Sequence, residues 1–292
     1  MSGRPRSAAG FTLIELVVAI VLAAIVAGFV VLFLDAPIQS YFAQTRRSDL
    51  VDSANRIAAA ITGDVRTALP NSLRATTAGS ATALELLATQ GVARYYGQGD
   101  KNGVGGEELT IGTTATPFGT LDSFGPQTLP YRPPFLAIGN LGTATYNAYN
   151  IATEVMTGAG TQVTVNPSPG SPFVAGENQV RLSGAPMTFQ APGAPGVQPS
   201  VHNAYLVSGP VSYVCDSVAG TLRRYSGYAA TAAQAAPPPG AGALIAHDVT
   251  RCAISFGVPN ARYGQLAILT ITLSSGGESL QMFLEARTEY IQ

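Results

Sequence analysis

An apolar run of 24 residues, from Phe11 to Leu34, most constrains how this chain can fold. Thr12 and Glu15 are its only polar members. As a helix with a rise of about 1.5 Å per residue, the run would extend roughly 36 Å, enough to cross a bilayer core of about 30 Å. An ordinary secretory signal has a shorter apolar region, about 7–15 residues, followed by a cleavage site of small residues. The length therefore favours a membrane-spanning helix.

The segment before this run is "MSGRPRSAAG", which carries Arg4 and Arg6 and no acidic residue. Positive charge before a span holds that end of the chain in the cytoplasm. We therefore predict a cytoplasmic leader peptide over residues 1–10 and a transmembrane or filament-core helix over 11–34. In a Gram-negative bacterium the rest of the chain would then be periplasmic, anchored to the inner membrane by a single pass.

Glu15 is the unexpected member of the apolar run. A charged side chain in a span costs about 2.5–3.5 kcal/mol at the bilayer centre and less near the edge. The run contains no Lys or Arg that could neutralise the carboxylate. The alternative, that Glu15 reaches the membrane interface by itself, is less favoured because short acidic side chains do this poorly compared with Lys and Arg. We expect a partner for Glu15 from another molecule.

The basic leader, Gly10 and the following "FTLIELVVAIVL" resemble the class III signal of type IV prepilins and type II secretion pseudopilins. The resemblance implies that prepilin peptidase cuts between Gly10 and Phe11 and that the new amine of Phe11 is N-methylated. It also implies that Glu15 is the assembly residue, because it can pair with the amine of Phe11 in a neighbouring subunit. The partners implied are prepilin peptidase, other major and minor pilins, and an inner-membrane assembly platform.

A second helix segment follows over residues 35–70, with apolar residues three and four apart. Its apolar positions are Leu50, Ala54, Ile57, Ala58, Ile61, Val65, Ala68 and Leu69. Together with the membrane-spanning half it predicts one long N-terminal helix packed against a sheet. Residues 71–292 are then expected to form a β-rich periplasmic globular domain, so the predicted fold class is α+β and pilin-like.

Alternating apolar residues in the last third of the chain predict an antiparallel sheet with one buried face. "QLAILTITL" and "SLQMFLEAR" are joined by "SSGGES", in which Gly276 and Gly277 suit a hairpin turn. Residues 75–200 are less regular, although "TALELLA" and "NQVRLSG" indicate strands. Tyrosines gather loosely in this region. They could form a contact surface, although packing in the core is the favoured interpretation. They are Tyr95, Tyr96, Tyr131, Tyr146 and Tyr149.

The chain has two cysteines, Cys215 and Cys252, both on the predicted inner faces of their strands. In an oxidising compartment we predict a disulfide between them. Two separate buried thiols are the alternative. No spacing of Cys and His suits a zinc site, which needs about four ligands, so we predict no metal and no cofactor.

A closer resemblance, at both ends of the chain, is to the minor pilins of the mannose-sensitive haemagglutinin (MSHA) pilus group. It rests on "DVRTALPNSLR", "GPVSYVCD", "GTLRRYSGY" and "RCAISF". This implies a minor pilin that helps to initiate, prime or cap a filament, and its bulky domain favours a place at the filament tip. The alternative is a J-type minor pseudopilin of a type II secretion system, which shares the leader and the final hairpins.

A third class, a membrane-anchored enzyme or binding module, is less favoured. His202 and His247 lack surrounding motifs, and His247 and Asp248 are expected to point to opposite faces of a strand. The chain has no Gly-x-Ser-x-Gly elbow and no phosphate-binding loop. The formal net charge of -1, without a basic stripe, argues against a nucleic-acid partner. We therefore predict a non-catalytic subunit.

Overall fold

The computed structural model describes residues 11–100, 108–125, 128–167, 177–190, 202–257 and 265–289. Within these ranges a single long helix, α1, precedes a series of β-strands and one short 3-10 turn at Ile151–Thr153. The helix is Leu13–Arg66, and the strands are β1 Arg74–Ala78, β2 Ala81–Arg94, β3 Phe118–Thr120, β4 Phe135–Ile138, β5 Thr161–Pro167, β6 Asn178–Gly184, β7 Asn203–Asp216, β8 Thr221–Ser226, β9 Ala243–His247, β10 Val249–Phe256, β11 Leu266–Ser275 and β12 Glu278–Arg287. The predicted α+β fold is confirmed.

Helix α1 is continuous across the predicted boundary between its two halves, with Pro37 inside it. It ends at Arg66, before the predicted end at residue 70. The reason is that the sheet takes over the backbone hydrogen bonds. The N–H of Leu69 donates to the carbonyl oxygen of Leu87 in β2 at 2.8 Å. A strand-like bridge between Ala68 and Ala88 adds to this, so the chain cannot continue as a helix.

The strands form three sheets in the described part of the chain, and every strand pair is antiparallel. The large sheet has the order β1-β2-β7-β8-β9, with β4 also paired to β7. The C-terminal sheet has the order β10-β11-β12, and the middle sheet β3-β6-β5. The strands predicted from "TALELLA" and "NQVRLSG" are confirmed as parts of β2 and β6.

The predicted final hairpin is confirmed. Ser275 of β11 faces Glu278 of β12 across the turn. Gly276 and Gly277 both have positive φ, 55° and 87°, as a tight hairpin turn requires. The apolar residues of β11 alternate with partly exposed ones, so the sheet buries one face. The buried residues of that face are Ala267, Leu269, Ile271 and Leu273.

The main core lies where the second half of α1 packs against the large and C-terminal sheets. The helix contributes Leu50, Ile57, Ile61 and Val65, of which the last three are fully buried. These positions follow the three-and-four spacing of the predicted apolar face. The middle sheet has its own buried cluster, which includes Tyr95, and Tyr149 belongs to a third. Those two tyrosines are therefore packing residues.

Candidate assembly site at the start of the N-terminal helix

Helix α1 begins at Leu13, and Thr12 is its N-cap residue. The Thr12 hydroxyl oxygen accepts a hydrogen bond from the backbone N–H of Glu15 at 3.3 Å. The same hydroxyl donates to Glu15 Oε2 at 3.4 Å. A Thr at the cap with Glu three residues later is the pattern of a capping box, and an acidic residue in the first turn also suits the positive end of the helix dipole.

The capping contacts join Thr12 to Glu15, the residue to which the sequence assigned assembly. Phe11 lies just before the N-cap Thr12, and Glu15 lies in the first turn of the helix. Gly10 and the leader lie outside the described residues. Sequence reasoning did not single out Thr12, although Thr-x-x-Glu before an apolar run is a recognisable start signal for a helix.

In the described part of the chain, no protein surface covers the first half of α1. Phe11 is 74% exposed and Leu13 82% exposed. From Leu13 to Val30 the mean hydropathy is 2.9 and no residue is buried, so this stretch is long and apolar enough to cross a membrane. A helix that is apolar on all sides requires lipid or other apolar helices around it. Among the residues that the structure describes, this half has no partner.

Glu15 is exposed, and its carboxylate accepts a hydrogen bond from the Thr12 hydroxyl. Among the described residues, no Lys, Arg or His lies within ion-pair distance of its carboxylate. Among the described side chains of helix α1, the first buried one is Leu50, 35 positions further on, which is about 52 Å along the axis. The described globular part of the same chain is therefore too distant to neutralise Glu15.

The family comparison falls on this segment. A family model described as "Prokaryotic N-terminal methylation motif" matches residues 5–31. The match supports a type IV pilin-like protein with a class III signal. It points to a structural subunit rather than an enzyme, and it implies processing by prepilin peptidase and assembly with other pilins. No curated protein and no solved structure matches the chain.

Cys215 and Cys252 are joined by a disulfide in the structure, with their Cα atoms 6.4 Å apart. Cys215 lies in β7 and Cys252 in β10, so the bond connects the large sheet to the C-terminal sheet. The disulfide also closes this loop in the unfolded chain and so restricts its conformations. This restriction favours the folded state. The bond lies in the globular part and does not contribute to the exposed half of α1.

A polar contact that sequence reasoning missed fastens the packed half of α1 to the large sheet. The Tyr213 hydroxyl donates to Asp64 Oδ2 at 2.6 Å, and Arg224 Nε donates to the same oxygen at 2.7 Å. Burial, and then the hydrogen bond to Asp64, raise the pKa of Tyr213 above its usual value of 10.0. Asp64 lies seven positions after Ile57 and three after Ile61. This spacing places it on the apolar face of the helix, so the sequence alone could have indicated that its carboxylate needs a partner.

A second polar cluster holds the loop after β8 against β1 and β2. Arg74 Nε donates to Glu85 Oε2 at 2.6 Å, and Tyr228 donates to Glu85 Oε1 at 2.8 Å. Glu85 is only 2% exposed, so these partners compensate a buried carboxylate. The Arg74 guanidinium also lies over the Tyr149 ring, 3.5 Å from its centroid. This cluster explains how β1 is fixed.

The two histidines pair with carboxylates. His202 Nδ1 lies 3.0 Å from Asp100 Oδ2, and the ring stacks on Tyr95. His247 Nδ1 lies 2.6 Å from Asp248 Oδ2, so the expectation that these two side chains point to opposite faces is wrong. Asp248 has φ of 63° and interrupts the extended backbone between β9 and β10, which turns its carboxylate towards His247. In the described residues no group of three His, Cys, Asp or Glu side chains could hold a metal ion.

Proposed function

We propose that the chain is a minor pilin of a type IV pilus of the MSHA kind, a non-catalytic subunit that initiates, primes or caps the filament. The observation that carries the proposal is the first half of α1. It combines the prepilin motif with an apolar surface that none of the described residues covers, and it begins with Glu15, which no described cation neutralises.

The proposed assembly step is electrostatic. Prepilin peptidase cuts between Gly10 and Phe11 on the cytoplasmic side, and the amine of Phe11 is then N-methylated and remains cationic. In a staggered bundle of helices, Glu15 of one subunit meets the Phe11 amine of another. Opposite charges attract strongly in a low-dielectric environment, whereas each ion alone is penalised there. The Thr12 hydroxyl directs the Glu15 carboxylate towards the helix start, where such an amine would arrive.

The proposed location follows from the same features. The single span holds the N-terminus in the cytoplasm and the globular part in the periplasm before assembly. Residues 71–292 are bulky for a closely packed shaft, which favours a position at the filament tip. The assembly platform of the inner membrane and other major and minor pilins are the proposed partners.

The experiment that tests this function compares Glu15→Ala with Asp49→Ala. Asp49 is exposed on the same helix, so its substitution is a matched loss of one carboxylate. Filaments sheared from cells are assayed for the chain, and the membrane pool is measured in parallel. We expect Glu15→Ala to lower incorporation at least about tenfold, as the loss of a buried charge pair predicts. Equal incorporation of the two variants would contradict the proposed role of Glu15.

The second candidate, a J-type pseudopilin of a type II secretion system, uses the same helix and the same carboxylate. It is retained because the motif is common to both classes. A strain that lacks the chain separates them. Loss of surface pili with normal secretion supports the pilus role, and loss of secreted proteins with normal pili supports the secretion role.

A further inference from the structure

Two sheets of the globular part end in strands that have one free edge, and both strands line the same groove. β1 is the outer strand of the large sheet, and β10 is the outer strand of the C-terminal sheet. In the ladders of the described residues, β1 pairs only with β2 and β10 only with β11. An exposed strand edge presents free N–H and C=O groups, which are a template for another strand.

The free backbone groups of β10 can be identified. Just after this strand, the N–H of Gly257 donates to the carbonyl oxygen of Leu266 at 3.0 Å, so Gly257 directs its backbone towards β11. Residues of an antiparallel strand alternate in this respect. Arg251, Ala253 and Ser255 therefore pair with β11. The groups that point away from β11 belong to Cys252, Ile254 and Phe256.

The same reasoning applies to β1. Leu87 of β2 accepts from Leu69, on the side of β2 that faces away from β7. Alternate residues of β2 use that side, and they are the partners of Arg74 and Thr76. The backbone groups of Ala75 and Thr77 consequently point away from β2.

Residues from both sets line one groove. An open groove of about 470 Å³ is lined by Ala75 and Thr77 of β1 and by Cys252 and Ile254 of β10, with Thr76, Thr82 and Ala253 completing it. The Cys215–Cys252 disulfide holds β10 against the large sheet, so the groove is preformed. Ala75 and Thr77 are exposed, and none of the described strands covers them.

We propose that this groove binds an extended strand of a partner polypeptide, which adds to the free edge of β10 and covers β1. Strand addition supplies affinity through main-chain hydrogen bonds and specificity through alternate side chains. The edge from Arg251 to Phe256 is about 20 Å long, which accommodates about six residues of the partner. This proposal is independent of the filament role.

Charge identifies the chemistry of the partner strand. Arg251 is exposed at the start of this edge, and no carboxylate pairs with it among the described residues. An acidic side chain directly opposite a basic one stabilises a cross-strand pair. The partner strand therefore carries a carboxylate opposite Arg251 and small apolar side chains on the face that packs over Thr77 and Ile254.

The edge of β10 lacks the features that prevent strand addition. Natural edges are blocked by Pro, Lys, bulges or inward-pointing charges. From Cys252 to Phe256 the sequence "CAISF" contains none of these residues, and its pairing with β11 is regular. The bulge in β10 lies earlier, between Val249 and Arg251. The unblocked stretch includes the three β10 residues that line the groove, Cys252, Ala253 and Ile254.

The test measures amide hydrogen exchange of the full chain in detergent micelles. The probe is the peptide acetyl-TVEVTVT-amide, with acetyl-TVKVTVT-amide and the non-pairing acetyl-TVEPTVT-amide as matched controls. We expect the acidic peptide to slow exchange of the Ile254 and Cys252 amides at least about tenfold, because they gain hydrogen-bond partners. The Ala253 amide, already bonded to β11, should not change.

The variant Arg251→Glu completes the test. We expect it to reverse the preference, so that the Lys peptide protects and the Glu peptide does not. Equal protection by both charged peptides would overturn the carboxylate assignment, and no protection by either would overturn the docking site. Protection that rises with protein concentration in the absence of peptide would identify a second copy of the chain as the occupant, and would likewise overturn the proposal.

Discussion

The two halves of helix α1 are continuous in backbone and opposite in environment. In the first half, the described large apolar side chains from Phe11 to Phe42 are exposed, although they are among the most hydrophobic in the chain. In the second half, Ile57, Ile61 and Val65 are fully buried against the sheets. The comparison separates two kinds of apolar surface. One stabilises the folded chain, and the other is available for lipid or neighbouring subunits.

The largest expected effect comes from the packed half. The double variant Ile57→Ala, Ile61→Ala should lower the free energy of unfolding by at least about 4 kcal/mol, since each truncation in a core typically costs about 2–5 kcal/mol. Urea unfolding of the full chain in detergent measures it. The matched control is Ile14→Ala, Ile20→Ala in the exposed half, for which we expect a change within about 1 kcal/mol. Similar losses in both variants would remove the distinction between the halves.

The disulfide gives the next largest effect. Its cysteines are 37 positions apart, and in the chain-entropy model a loop of this size contributes about 3–4 kcal/mol. The variant Cys215→Ala, Cys252→Ala should lose that amount of unfolding free energy, because the unfolded chain regains its freedom. Reduction of the unsubstituted chain provides the control. A loss below about 1 kcal/mol would show that the unfolded chain is little restricted by this bond.

The Asp64 contact sharpens the comparison at the level of single side chains. Asp64→Ala removes the acceptor shared by Tyr213 and Arg224, and hydrogen bonds to charged groups contribute about 1.5–3 kcal/mol. We expect a loss of that order in urea unfolding. Asp49→Ala, which removes an exposed carboxylate of the same helix, should change stability by less than about 0.5 kcal/mol. If the two variants behave alike, the helix is held by apolar contacts alone.

The smallest effect at neutral pH is expected for Tyr213→Phe, which leaves Asp64 paired with Arg224. The folded chain raises the pKa of Tyr213 above 10.0, mainly through burial. The folded state therefore keeps a proton that the unfolded chain loses as pH rises past 10.0, so this contribution is complete below that pH and is lost above it. Stability measured at increasing alkaline pH should fall less steeply in Tyr213→Phe than in the unsubstituted chain. Identical slopes would contradict this assignment.

The sequence predicted those parts of the fold that a regular pattern specifies. The spacing of Ile57, Ile61 and Val65 predicted the packed face of the helix, and strict alternation with two glycines predicted the final hairpin. The predicted end of the helix was wrong because the backbone N–H of Leu69 donates to the carbonyl oxygen of Leu87, a residue distant in sequence. The predicted orientation of the His247 and Asp248 side chains was wrong because Asp248 has a positive φ, a local conformation that an alternating pattern does not reveal.

The candidate site was more readable than the middle of the chain. Phe11 and Glu15 belong to a short motif with a defined context, so their positions needed no knowledge of the fold. The cap formed by Thr12 needed only the Thr-x-x-Glu spacing. The groove between β1 and β10, in contrast, depends on which strands of two separate sheets remain unpaired, and no local pattern carries that information.

The most direct test of the proposed assembly step is the intact mass and N-terminal peptide of the chain recovered from sheared filaments. We predict a mature chain that begins at Phe11, lacks residues 1–10 and carries one additional methyl group on its amine. Chain in assembled filaments that still begins at Met1 would contradict it, because the cationic amine proposed to neutralise Glu15 would then be absent.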